Sequence, residues 1–165
     1  MNEKMRSLVS SEEYNLDMKL SFLQSSFREM VFPKFQKVFD CITISNNFQE
    51  PESEEEFVNI IRKSYEDKTG FEACNTETYI DTSLFINSEV VMIENLLAFV
   101  FMLIELWTHQ IKHIYGDIEI CFIISCDPEY NSITFRFHQV RKDESLWLGD
   151  EWKDSAYMPI GCVFI

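Results

Sequence analysis

The sequence predicts an α+β fold: N-terminal helices and a long central helix packed on a mainly antiparallel sheet formed by the C-terminal half. Three observations carry this. Apolar residues recur at spacings of three and four in the first 70 positions, a pattern with the period of a helix. The stretch from Ser88 to His113 is apolar around most of a helical cylinder, as a helix buried on most sides would be. After Gly116 the pattern changes to short runs of β-branched and aromatic residues separated by turn signals. Helices first and hairpin strands later are the order of an α+β protein.

Taken in order, Ser11–Ile44 reads as helix, broken or kinked near Pro33. Ser11 is placed to cap it, and Glu12 and Glu13 suit the positive end of the helix dipole. Leu16, Leu20, Leu23 and Phe27 make one apolar stripe, and Phe35, Val38, Phe39 and Ile42 a second. Asn46–Pro51 is a polar connection. Ser53 followed three residues later by Glu56 is a capping box that opens a second helix, with Phe57, Ile60, Ile61 and Tyr65 inward and Gly70 as terminator. Ala73–Ile86, rich in Thr, Tyr and Ile, reads as a strand or an extended loop. On the central helix, 88–113, the polar positions Asn87, Glu94, Glu105, Thr108 and Lys112 fall with Ala98 on one narrow stripe. Ile118–Cys126 and Ser132–Arg141 are the clearest strands, joined by Asp127–Asn131, and Tyr157–Ile165 is the last. At 165 residues, with 46% apolar and 15% aromatic content, the chain suits a single domain covering 1–165 with a core of its own.

Charge separates the possible functions most sharply. Against 28 Asp and Glu stand 14 Lys and Arg, a net charge of −14. Residues 1–49 are neutral, so the whole excess lies after residue 49; Thr69–Phe135 holds ten acids and one base, Lys112. Such a field disfavours nucleic acid and anionic lipid and draws in basic partners. Glu94 and Glu105 interrupt the apolar run of the central helix, leaving too short a stretch to span a bilayer. The five cysteines, Cys41, Cys74, Cys121, Cys126 and Cys162, form no CxxC. They read as buried free thiols of a reducing compartment. With no apolar signal-peptide region at the start, the expected location is the cytoplasm.

Catalytic signatures are sparse. His109 and His113 have the spacing of a zinc pair on one helix face, but Gln110 stands where a metalloprotease carries its general base. A third ligand would have to come from elsewhere, His138 for example. GxSxG, a phosphate loop and a dinucleotide fingerprint are missing. The expectation is a protein that is not an enzyme and needs no metal or cofactor.

Two segments suit partner binding. Glu50–Glu56 crowds five carboxylates, Glu54 and Glu55 among them, at a helix start, where acids also belong for purely local reasons. Asp143–Asp154 interleaves Asp143, Glu144, Asp150, Glu151 and Asp154 with Leu146, Trp147, Leu148 and Trp152. Aromatic anchors with carboxylates at the rim are what an interface with a basic partner uses. The other possibility is that both indoles fold back on the sheet edge.

In its acidic, motif-free α+β character, and in these two segments, the chain resembles the immunity proteins of bacterial toxin systems, contact-dependent growth inhibition among them. That resemblance implies a non-catalytic inhibitor of a cognate basic toxin, a nuclease first, acting by covering its active site or substrate-binding surface. Two other classes stay open: an acidic adaptor or regulatory subunit of another basic protein, and a metal-dependent hydrolase using His109 and His113.

Overall fold

The computed structural model describes residues 2–9, 27–44, 50–85, 91–149, 153 and 159–165. Within them the chain is α+β. Its elements run α1 (Glu3–Val9), α2 (Phe27–Val31), β1 (Phe35–Val38), β2 (Cys41–Ile44), α3 (Glu54–Ser64), α4 (Lys68–Asn75), β3 (Thr78–Asp81), α5 (Ile93–Tyr115), β4 (Ile120–Asp127), β5 (Ser132–Gln139) and β6 (Ile160–Phe164). A single 3₁₀ turn, Thr82–Leu84, follows β3.

The C-terminal half matches its sequence pattern closely. β3, β5, β4 and β6 form an antiparallel sheet in that order. Because side chains alternate across a strand, Phe122, Ile124 and Cys126 of β4 share a face with Ile133, Phe135 and Phe137 of β5. That face receives Leu96, Leu97, Val100, Leu103, Ile104, Trp107 and Ile111 of α5. Trp107 lies 4.8 Å from Phe135 between ring centroids, and its indole N–H donates to Met30 O at 2.9 Å, which pins α2 to the helix. Gly116 ends α5 at φ 90°, a backbone that glycine adopts without a Cβ penalty.

Several expectations are corrected here. The helix expected to run on to Ile44 stops at Val31. Phe35–Ile44 is instead a hairpin, with Phe35 opposite Ile44 and Val38 opposite Cys41. The spacing of Phe35, Val38, Phe39 and Ile42 mimics a helix because the chain reverses at Phe39 and Asp40, and Phe39 takes φ 55° there. Ser11 and the stripe Leu16–Leu23 lie outside the described residues. Ser53 does cap α3, accepting from Glu56 N–H at 3.2 Å, while the Glu56 carboxylate reaches back to Glu52 N–H. Gly70 does not end that helix. α3 stops at Ser64 and Gly70 sits in the first turn of α4, where a Cβ would lie 2.3 Å from Tyr65 O. Ala73–Ile86 is only partly the expected strand or extended loop: Ala73–Asn75 belongs to α4, β3 is Thr78–Asp81, and Thr82–Leu84 is a 3₁₀ turn. The central helix begins at Ile93, and residues 86–90 lie outside the description. Its expected polar stripe is largely buried at Glu94, Ala98 and Thr108, and the exposed line is Glu105, His109 and His113. The N-terminal half of α5 is enclosed, and the C-terminal half opens to solvent on that side.

A second, smaller core joins Val38 and Cys41 of the hairpin, Phe57 and Ile61 of α3 and Phe71 of α4, with Tyr65 at its margin. Where β3 has not yet begun, α4 completes the edge of β5 with side chains. Thr76 Oγ1 accepts from Phe137 N–H at 2.9 Å and donates to Phe137 O at 2.7 Å. Glu72, fully buried, accepts from Gln139 N–H at 2.8 Å and from Ile42 N–H at 2.7 Å. The Arg141 guanidinium binds both Glu72 oxygens, at 2.9 and 3.0 Å. One carboxylate thus ties the hairpin, α4 and the sheet together.

Candidate partner-binding cleft

The connection between α3 and α4 is unusually tight. Asp67 N–H donates to Tyr65 O at 2.8 Å, closing a three-residue turn around Glu66, whose φ is 68°. Asp67 then caps α4, its Oδ1 accepting from Gly70 N–H at 2.7 Å. Glu144 supplies a second cap from the other side of the fold. Its Oε2 accepts from Thr69 N–H at 2.8 Å and from Thr69 Oγ1 at 2.7 Å. The loop after β5 is thereby tethered to the start of α4.

Between the turn and the tethered loop lies a cleft of about 490 Å³, lined by Ser64–Asp67, Gly70, Cys74 and Ser145–Trp147. Leu146 and Trp147 keep 40% and 37% of their surface exposed, enough to offer contact area to another molecule. Trp147 is also supported from below: the Arg136 guanidinium carbon sits 4.5 Å from its ring centroid, and Arg136 is itself paired with Glu77. This indole therefore packs in part against Arg136 of the sheet, and it keeps surface exposed where it lines the cleft.

The cleft is acidic. Glu66 is exposed and Asp67 half-buried, and among the described residues neither enters an ion pair. The nearby cation Lys68 is held by Asp40 at 2.6 Å. Cys74 is exposed, unlike the buried thiol expected, because it lies on the outer side of α4 against the cleft. Partial desolvation still holds its thiol above the ordinary value, so it stays protonated at neutral pH. What this surface offers chemically is stacking, apolar contact and carboxylate acceptors.

Of the residues expected to bind a partner, Trp147 and Glu144 meet at this cleft, Trp147 as a wall and Glu144 as the tether behind it. Asp143 is exposed beside them. Asp150, Glu151, Trp152 and Asp154 lie outside the described residues. Glu54 and Glu55 are exposed in the first turn of α3. The opposite end of that helix lines the cleft, so they stand about 15 Å from it along the axis. Sequence reasoning missed Glu66, Asp67 and Arg136. Only Asp67 carried a local signal, as a residue type that caps helix starts, and neither Glu66 nor Arg136 carried one.

His109 and His113 are exposed on α5. His138, considered as a third ligand, cannot approach them: its neighbour Phe137 faces α5, so His138 projects from the other side of the sheet. Among the described residues no group of three His, Cys, Asp or Glu is placed to hold a metal ion. Cys121 and Cys126 are likewise on opposite faces of β4 and cannot bridge. Among the described residues no helix is long and apolar enough to cross a membrane.

Fold and cleft together define an α+β protein that carries, among the described residues, an aromatic and carboxylate-lined cleft held by a tethered loop. The sequence profile of the family described as the uncharacterized protein PM0498 family matches residues 1–163, and the chain belongs to that family. No curated protein and no solved structure matches it.

Proposed function

We propose that the protein is a non-catalytic inhibitor that binds a basic partner protein in the cytoplasm, in the manner of an immunity protein neutralising a nuclease toxin. The observation that carries this reading is Trp147: an indole kept more than a third exposed, propped by Arg136, in a cleft whose Glu66 and Asp67 enter no ion pair among the described residues. Leaving such a group in water is unfavourable, and interfaces with basic proteins use aromatic anchors rimmed by acids. The charge of −14 adds to this by steering a cationic surface toward the protein. A nuclease is the fitting toxin class because its active cleft must be basic to hold phosphates. Inhibition would be stoichiometric, by covering that cleft or the surface beside it.

The test is to co-express the chain with toxin domains encoded beside its gene and to measure complex formation by calorimetry at two salt concentrations. A stable 1:1 complex that abolishes nuclease activity and weakens as salt rises supports the reading. If the bound protein is basic but not toxic, the adaptor role replaces it. If no basic protein binds, the reading fails.

A further inference from the structure

The cleft has the chemistry to discriminate among cations. Lysine is a compact, strongly hydrated point charge, whereas the arginine guanidinium is planar, stacks on aromatic faces and pairs with carboxylates in a fixed fork. The protein already contains one such arrangement. Arg136 lies against the Trp147 ring at 4.5 Å while its guanidinium pairs with the Glu77 carboxylate. The cleft offers the same components: the partly exposed Trp147 in its lining, and beside it Glu66, an exposed carboxylate residue on a turn with positive φ. That turn is costly for a glutamate, because a residue with a Cβ is disfavoured in this region and glycine is not. Lys68, the nearest cation in sequence, is turned away by Asp40. The site therefore offers an aromatic wall and a carboxylate with no internal partner among the described residues.

We propose that this cleft takes an arginine side chain projecting from the basic partner, stacked on Trp147 and paired with Glu66. This rests on the reading of the protein as a binder of a basic partner and names the contact that reading requires. A nuclease surface that grips phosphates carries such arginines, and their occupation by Glu66 and Trp147 would place a carboxylate where a phosphate would sit.

The test uses the full chain and a defined probe. Amide and indole resonances are followed while N-acetyl-arginine methylamide is added, with the lysine and citrulline counterparts as controls. The expected result is saturable movement of the Trp147 indole and of the Gly70 and Cys74 amides with the arginine compound. The response to the lysine and citrulline compounds should be weaker by roughly fivefold or more, the size of a surface cation–π contact. Glu66→Gly gives the sharpest variant. Relief of the positive φ offsets the extra chain freedom of glycine, so the variant should weaken arginine binding without lowering the unfolding temperature, a combination that loss of fold cannot imitate. Trp147→Phe keeps a smaller stacking surface and should weaken binding less than Trp147→Ala. The proposal is overturned if no cleft resonance saturates, if lysine binds as well as arginine, or if Glu66→Gly leaves arginine binding unchanged. Should a basic partner bind the wild-type and Glu66→Gly proteins alike, this contact falls and the functional reading stands. Should the arginine compound fill the cleft while no basic protein binds, the functional reading falls and the site remains.

Discussion

Glu66 and Glu72 sit close together in sequence, on either side of the start of α4, and have opposite surroundings. Glu72 is fully buried and holds five donors, from Ile42, Gln139 and Arg141. Glu66 is exposed on a turn it does not favour, with no cation of its own among the described residues. The first carboxylate organises the fold, and the second faces outward. The contrast shows that the acid count is not a map of surface potential. Glu72 and Glu94, both in the stretch with ten acids and one base, are interior, and Glu144 is taken up by α4. What remains outward near the cleft is a smaller, localised set of carboxylates beside an aromatic ring.

The comparison can be broken first at Glu72. Glu72→Ala would remove the bidentate partner of the largely buried Arg141, leaving it Glu144 at 3.8 Å and the Asp40 carbonyl, and would orphan two backbone donors. It should cost about 3–5 kcal/mol, read from urea unfolding of the variant against wild type. Joint replacement of Glu72 and Arg141 by Met should recover part of that loss, since the stranded charge is gone. If Glu72→Ala unfolds at the wild-type midpoint, the carboxylate is not the joint between the two cores.

Next in size is Trp147. Trp147→Ala should weaken partner binding by about 2 kcal/mol or more, mostly through faster dissociation, with a smaller change in stability. A variant that melts well below wild type yet binds unchanged when folded would make this indole structural.

A pH effect bears on the buried side of the comparison. Burial pushes the His138 imidazole below its ordinary value, partly opposed by the Gln139 carbonyl that its Nδ1 faces at 2.9 Å and by Glu72. The folded protein therefore holds His138 neutral, and the unfolded chain binds a proton more readily. This contribution to stability is complete above about pH 6.5 and is lost as pH falls from there toward the folded value. Unfolding free energy measured from pH 8 to 5 should decline, and His138→Gln should flatten that slope. An unchanged slope would exclude His138 as its source.

The smallest effect is expected at Glu54 and Glu55. Reversing both to Lys opposes the dipole of α3 by about 0.5 kcal/mol or less each. Because they stand away from the cleft, the change should touch the association rate and its salt dependence and leave dissociation alone. A large rise in dissociation rate would move the interface to that end of α3.

Legibility in the sequence followed the range of the interactions involved. The Ser53 cap, the long helix closed by Gly116 and the β4–β5 hairpin are local, and their periodicity and turn residues announced them. The β1–β2 hairpin was not legible, because reversal at Phe39 places apolar residues at the same spacings a helix would. Gly70 was misassigned for a related reason. A glycine after an amphipathic run reads as a terminator, yet here it is required by the approach of Tyr65 O at 2.3 Å to where its Cβ would be. At the cleft, Trp147 and the carboxylates near it stood out by composition. Their partners across the fold, Tyr65, Glu66, Asp67 and Arg136, carried no pattern linking them.

By itself the sequence determined the α+β class, the apolar faces that form the main core and the excess of acid after residue 49. These depend on residue type and short-range spacing. The tertiary structure decided which acids are interior and which face out, and it brought the loop after β5 against the α3–α4 turn. Glu72 with Arg141 and Glu144 with Thr69 are each separated by more than sixty residues. No local rule pairs residues across such distances. They meet because two cores, each formed from its own apolar residues, can pack together only when the polar groups between them find partners.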